Sequence, residues 1–174
     1  MRWLGQGRVR PARRGVVTSR ILSVWVDNKP GVLARIAGLI ARRGFNIESL
    51  AVSITEEDVR SRVTMVVDAD ERIVEQVTKQ LHKLINVYKV TDLTDKDHIE
   101  RELVLFKVNA EPEKRGEIIE LAGLFGARVD GGAPDSLIIE LTDTAERIEA
   151  FEALLGPYGI REMIRTGKVA LATD

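Results

Sequence analysis

The chain has 174 residues, 44% of them hydrophobic and 30% charged, which suits one ordinary domain or two small ones with cores of their own. It has no cysteine, which excludes a disulfide framework and thiolate metal sites, and its two histidines, His82 and His98, cannot build a zinc site without carboxylate help. The net charge of −1 conceals an asymmetry: residues 1–20 carry six arginines and no acid, so residues 21–174 carry −7, a balance that repels phosphate backbones and argues against nucleic acid as the partner of the folded part.

Residues 1–18 read as a disordered basic tail, either a true extension or the product of an upstream start codon; a targeting role lacks the apolar core of a secretory signal. No run of about eighteen apolar residues predicts a membrane-spanning helix, and the expected location is cytoplasmic.

Residues 21–26 alternate and are rich in β-branched side chains, predicting a strand. Pro30-Gly31 breaks it and opens a helix with Val32, Ile36, Leu39 and Ile40 on one face, stopped by Gly44. Residues 47–54 and 59–67 read as strands joined by the Glu56-Glu57-Asp58 turn. Asp70 is placed to cap a second helix bearing Ile73, Val77, Leu81 and Leu84, and residues 87–93 make a fourth strand. The order is βαββαβ. It returns with strand 102–108, a helix opened by Pro112, a Gly-rich connection, strand 136–142, a helix with Asp143 and Glu146 resembling a capping box, and a closing segment 160–171. Ile36-Ala37-Gly38-Leu39-Ile40 echoes Leu121-Ala122-Gly123-Leu124-Phe125. The fold class is therefore α+β, two ferredoxin-like units over 19–95 and 96–174 joined by polar Thr94–Glu100. Trp25 falls out of phase with Leu22, Val24 and Val26, on the sheet face away from the helices: a site for a partner chain, or an isolated exposed aromatic.

Nucleophile elbows, Walker loops, His-Glu-x-x-His and complete Gly-x-Gly-x-x-Gly motifs are all missing, so no common catalytic signature is present. Gly131-Gly132 reads as a turn, and the acidic hairpin tip as solvated surface. One segment stands out. Asp27-Asn28-Lys29-Pro30-Gly31-Val32-Leu33 places a glycine and bare amides at a helix start directly after a strand, a geometry that attracts a carboxylate. Asn28 offers a donor and an acceptor to a ligand, or simply caps the helix. Asn46, before the strand opening at Ile47, either holds a turn or contributes from the opposite end of the unit, where one chain alone cannot join it to Asn28 but two paired chains can.

At these residues the sequence resembles the ACT domain family of amino-acid sensors, and more closely the small subunits of acetohydroxyacid synthase (acetolactate synthase). The resemblance runs through Asn28–Leu33, Arg42–Leu50, Ser61-Arg62, Gln80–Leu84, Val87–Val90, Arg101–Leu103 and Arg165–Gly167 in family order and covers about residues 20–171. It is looser in the second half, where Thr142-Asp143 stands in place of Thr-Gly and Gly131–Pro134 is unusual. It implies an N-terminal ACT domain and a C-terminal ACT-like domain. It also implies a non-catalytic regulatory subunit that homodimerises edge to edge through the ACT domain, binds valine or another branched-chain amino acid for feedback inhibition, and activates the catalytic large subunit. Asn28 with the Gly31, Val32 and Leu33 amides would hold the effector's carboxylate and ammonium, and Asn46 and Ile47 of the paired chain would close the site. No cofactor belongs to this chain; thiamine diphosphate, FAD and magnesium belong to the large subunit. The alternative is a stand-alone amino-acid-sensing ACT regulatory protein, for which no helix-turn-helix is visible. An RNA-recognition fold lacks the stacking aromatics, Phe106 being alone in its strand, and an acylphosphatase-like hydrolase lacks its arginine-bearing glycine loop.

Overall fold

A computed structural model describes residues 19–173, so the basic tail lies outside the described residues. Strand β1 (Ser19–Asp27) leads through a Pro-Gly turn into α1 (Val32–Arg42), followed by β2 (Ile47–Ile54), β3 (Arg60–Asp68), α2 (Glu71–Leu81) and β4 (Val87–Asp92). The first sheet has the order β2-β3-β1-β4, all antiparallel, with β2 and β4 at its edges. Leu22, Val24 and Val26 of β1 and Val63, Met65 and Val67 of β3 turn to one face, where Ile36 and Ile40 of α1 and Val77 and Leu81 of α2 cover them. Each such large side chain, once buried, contributes about 1.5–3 kcal/mol.

The second unit repeats the plan with β5 (His98–Asn109), α3 (Pro112–Phe125), β6 (Arg128–Ala133), β7 (Ser136–Asp143), α4 (Ala145–Leu155) and β8 (Ile160–Arg165), in the order β6-β7-β5-β8. Its core holds Val104, Phe106, Ile118, Ile139, Ile148 and Phe151, with Phe106 and Phe151 edge to face at 5.6 Å between ring centroids. No helix among the described residues is long and apolar enough to cross a membrane.

Four readings of the sequence change. The Gly-rich connection is a strand: β6 includes Gly131 and Gly132, and Gly132 passes so close to β7 that a Cβ there would sit 2.3 Å from Ser136 O. Asp143 does not cap α4. Thr144 is the N-cap residue, and the Asp143 carboxylate instead accepts from Thr144 N–H and pairs with Arg147. Asp70 does cap α2, accepting from Ile73 N–H at 2.9 Å. The stretch Thr94–Glu100 is only partly a linker, because β5 begins at His98. Its first four residues pair with a ninth strand, β9 (Val169–Ala172), through His98↔Ala172 to Arg101↔Val169.

The β5–β9 ribbon accounts for the fourth change. Ala170 packs with Ile21, Val66 and Leu93 in a third buried cluster, so part of the first sheet's second face is covered by the chain's own C-terminal strand. Trp25 lies further along that face, half-buried, with the Arg62 guanidinium 4.3 Å from its ring centre.

Candidate functional site

The first helix starts without a capping side chain. Its N-cap residue is Gly31, held at φ +83, a left-handed conformation that glycine adopts without steric cost, and a Cβ built there would meet nothing within 4 Å. Val32 N–H reaches Lys29 O only at 3.4 Å, while the Val32 side chain is part of the core, so the amide is all that Val32 offers. A helix N-terminus left this way presents donors and positive potential to solvent. Asn28 does not cap it. Its main-chain N–H donates to Val59 O and its side-chain Nδ2 to Asp58 O, both at 2.9 Å, which pins the β2–β3 hairpin beside the helix start. Three aliphatic side chains at this end of the unit are exposed: Leu33 on α1, Ile54 at the end of β2 and Val59 on the hairpin.

The corner is braced from behind by residues that sequence reasoning assigned no role. Asp27, the last residue of β1, is buried, and its carboxylate accepts from Tyr88 Oη, from Asn86 Nδ2 at 2.7 Å and from Lys29 Nζ at 3.1 Å. Those three donors, Tyr88 foremost, lower its pKa to about 2. The same bond raises the Tyr88 phenol above its ordinary value. Arg35 of α1 donates to Asn86 Oδ1 at 3.1 Å, and Arg60 of β3 stacks 5.0 Å from the Tyr88 ring centre. The loop carrying Asn28 and Gly31 is therefore tied to β3, β4 and α1. The only signal for this in the sequence is a lone aspartate ending an apolar strand.

Asn46 and Ile47 lie elsewhere. Asn46 O accepts from Asp68 N–H, and Asp68 pairs with Ser19, so Asn46 sits at the Ser19 end of the sheet. Asn28 follows Asp27 at the other end, and a nine-residue strand at about 3.3 Å per residue separates them by roughly 25–30 Å. One chain does not bring the two asparagines together. Asn46 and Ile47 instead line a cleft of about 750 Å³ between the two units, shared with Ser49, Glu102, Arg165, Thr166, Gly167 and Lys168.

Residues 22–89 match the family described as the AHAS small subunit-like ACT domain, and residues 101–174 match the small subunit of acetolactate synthase. The chain is 55% identical over 150 residues to a probable acetolactate synthase small subunit of Archaeoglobus fulgidus, covering 86% of this chain and 94% of the relative. This chain belongs to the acetolactate synthase small-subunit family. A second relative, the acetolactate synthase small subunit of Mycobacterium bovis, is 50% identical over 151 residues, 87% of this chain and 90% of that one. The crystal structure of the acetolactate synthase small subunit from Thermotoga maritima superposes with a TM-score of 0.84 at 37% identity, covering 91% of this chain and 99% of that one.

Within this family member the second unit rebuilds the same corner with other side chains. Asn109 N–H donates to Gly159 O as Asp27 N–H does to Asn86 O, and Ala110 N–H to Asp135 O as Asn28 N–H does to Val59 O. Arg161 takes the place of Tyr88, its Nε donating to Asn109 Oδ1 and its terminal nitrogen to Asp135 Oδ2 at 2.8 Å. Two features of the first corner are absent: alanine stands for Asn28, and Glu113 inside α3 stands for Gly31. Among the described residues no group of three or more histidine and carboxylate side chains is placed to hold a metal ion.

Proposed function

We propose that this chain is the regulatory subunit of an acetolactate synthase, a cytoplasmic protein that activates a separate catalytic large subunit and confers feedback inhibition by valine or another branched-chain amino acid. The observation that carries the reading is the uncapped start of α1. There, Gly31 puts no side chain at the helix start, Asn28 stands three residues before it, and Leu33, Ile54 and Val59 are exposed at the same end of the unit. A carboxylate suits the amides and the helix dipole, an ammonium suits the Asn28 carbonyl oxygen, and Leu33, Ile54 and Val59 suit a branched aliphatic side chain.

Half of the site comes from a second copy in this reading. Strand β2 is an edge of its sheet, and a two-fold antiparallel pairing of two β2 strands sets Ile47 of one chain beside Ile54 of the other. Asn46 then reaches the Asp58-Val59 hairpin to which Asn28 is bonded in the neighbouring chain. The symmetry cancels the separation of 25–30 Å estimated within one chain. Thiamine diphosphate, FAD and magnesium reside in the large subunit.

Isothermal titration of the purified chain with valine, leucine and isoleucine tests the binding half. Acetolactate formation by the large subunit, with and without this chain and across a valine titration, tests the regulatory half. Binding of at least one of the three together with stimulated, inhibitable activity is expected. A folded dimer that binds none of the amino acids overturns the proposed site.

A further inference from the structure

The turn Thr166–Gly167–Lys168 joins the two units at a place the effector reading leaves unused. Lys168 N–H donates to Ser49 Oγ at 2.7 Å, a contact between the end of the second unit and the early part of β2 in the first. Gly167 makes the approach possible: at φ +85, its missing Cβ would stand 2.8 Å from Ser49 Oγ and 3.4 Å from both Leu50 N and Leu50 O. The turn is secured on its own side by Thr166 N–H donating to Leu103 O at 3.0 Å, and by Lys168 Nζ pairing with Glu100 at 2.8 Å.

Both neighbours of the turn lead into the spine of the second unit. Strand β8 before it and β9 after it pair with β5, a twelve-residue strand that runs from the ribbon packed on the first sheet into the centre of the second sheet. A shift of the turn therefore acts on β5 through both of its connections. The other end of the contact is equally placed to move. The β2–β3 register slips between Ile47 and Ser49, so the first residues of β2 sit on an irregularity and can shift without unzipping the ladder beyond it.

We infer that the Ser49–Lys168 contact is the coupling point through which effector occupancy reaches the second unit. This rests on the proposed placement of Asn46 and Ile47 against the effector bound by a paired chain. Ligand binding draws on the residues just before Ser49, and the C-terminal turn grips Ser49 itself, so the start of β2 is held from both sides. A ligand that favours one position of this segment biases the position of the turn, and hence of β5, by its difference in affinity for the two.

The test uses the full chain reconstituted with its large subunit, comparing wild type with Ser49→Ala, which removes the acceptor, and Gly167→Ala, which pushes a methyl group into the contact and strains the left-handed turn itself. Valine binding to each chain is read by isothermal titration, and activation and valine inhibition by acetolactate formation. Both variants are expected to bind valine within about twofold of wild type and to activate normally. The valine concentration for half-inhibition should rise about fivefold or more, the scale set by losing one hydrogen bond from the coupling. Ser49→Thr, which keeps the hydroxyl, is expected to stay near wild type. Inhibition that tracks binding in both variants, whether both are retained or both are lost, overturns the coupling. Failure of the wild-type chain to bind valine in the same titration falls instead on the effector site.

Discussion

Asp27 and Asn109 stand 82 positions apart and do the same structural job, each ending the first strand of its unit with a 2.9 Å main-chain bond to the residue that precedes the fourth strand, β4 or β8: Asn86 O and Gly159 O respectively. Gly44 and Gly126 keep the same spacing and both end the first helix with positive φ. The side chains differ in charge: a carboxylate held by Tyr88, Asn86 and Lys29 in one unit, an amide held by Arg161 in the other. The duplicated scaffold thus carries an uncapped helix start beside a held carboxylate in one copy and an arginine-bridged polar corner in the other.

The Asp27 network makes the first unit sensitive to acid. Its carboxyl is held at about 2 in the folded protein, below the aspartate value near 3.9 of an unfolded chain. A depressed pKa contributes stability that is fully present above about pH 4 and fades as pH falls from there toward 2. Tyr88→Phe removes the largest of the three donors. The variant should melt lower than wild type at pH 7, and the gap should shrink as pH falls from 4 to 2, followed by circular dichroism. A gap independent of pH would show that Tyr88 acts through packing alone.

Gly31→Asp should abolish feedback inhibition, because its carboxylate competes for the amides proposed for the effector. At about 4 Å and an effective dielectric near 20 the repulsion is on the order of 4 kcal/mol, roughly a thousandfold in affinity before relaxation. The left-handed backbone at this position decides the control. Alanine is itself strained there by about 1–2 kcal/mol, whereas asparagine tolerates the conformation and matches aspartate in size without the charge. Gly31→Asn should retain far more valine inhibition than Gly31→Asp in the reconstituted assay.

The helix register predicts unequal costs in α3. Counting back from the glycine stops, Ile36 and Ile40 of α1 correspond to Ile118 and Ala122 of α3, and Leu124 is left 80% exposed although it echoes buried Leu39 in sequence. Ile118→Ala should cost about 2–5 kcal/mol, while Leu124→Gln stays within about 0.5 kcal/mol. Urea unfolding of the two variants checks both numbers.

A fragment ending at Thr94 retains the first βαββαβ unit and both asparagines, so it should still bind effector. It also loses Ala170 and Ala172 from above Ile21, Val66 and Leu93. Uncovering those side chains should lower its stability by about 2–4 kcal/mol relative to the same unit in the full chain. Thermal melts of fragment and full chain with valine titrations provide the comparison, and dye binding to the exposed face should appear only in the fragment.

Local pattern determined most of the architecture. Apolar alternation marked β1, β3 and β5, the 3.6-residue stripe marked α1 and α2, and Asp70, Gly44 and Pro112 stand where the helices start or stop. The helix start after Asn28 and Gly31 was legible because strand, glycine and helix are consecutive in the chain. Tertiary structure alone decided three matters. The 36–40 and 121–125 echo is three residues out of structural register, because helix faces are set by the packed sheet and the glycine stop rather than by similar wording. Residues 131–132 form an edge strand, because the backbone ladder with β7 tolerates glycine where propensity does not favour it. Asp27 finds Tyr88 at a separation of 61 residues and Ser49 finds Lys168 at 119, and no local period encodes either pair, since each exists only once the sheets have folded and brought distant strands together.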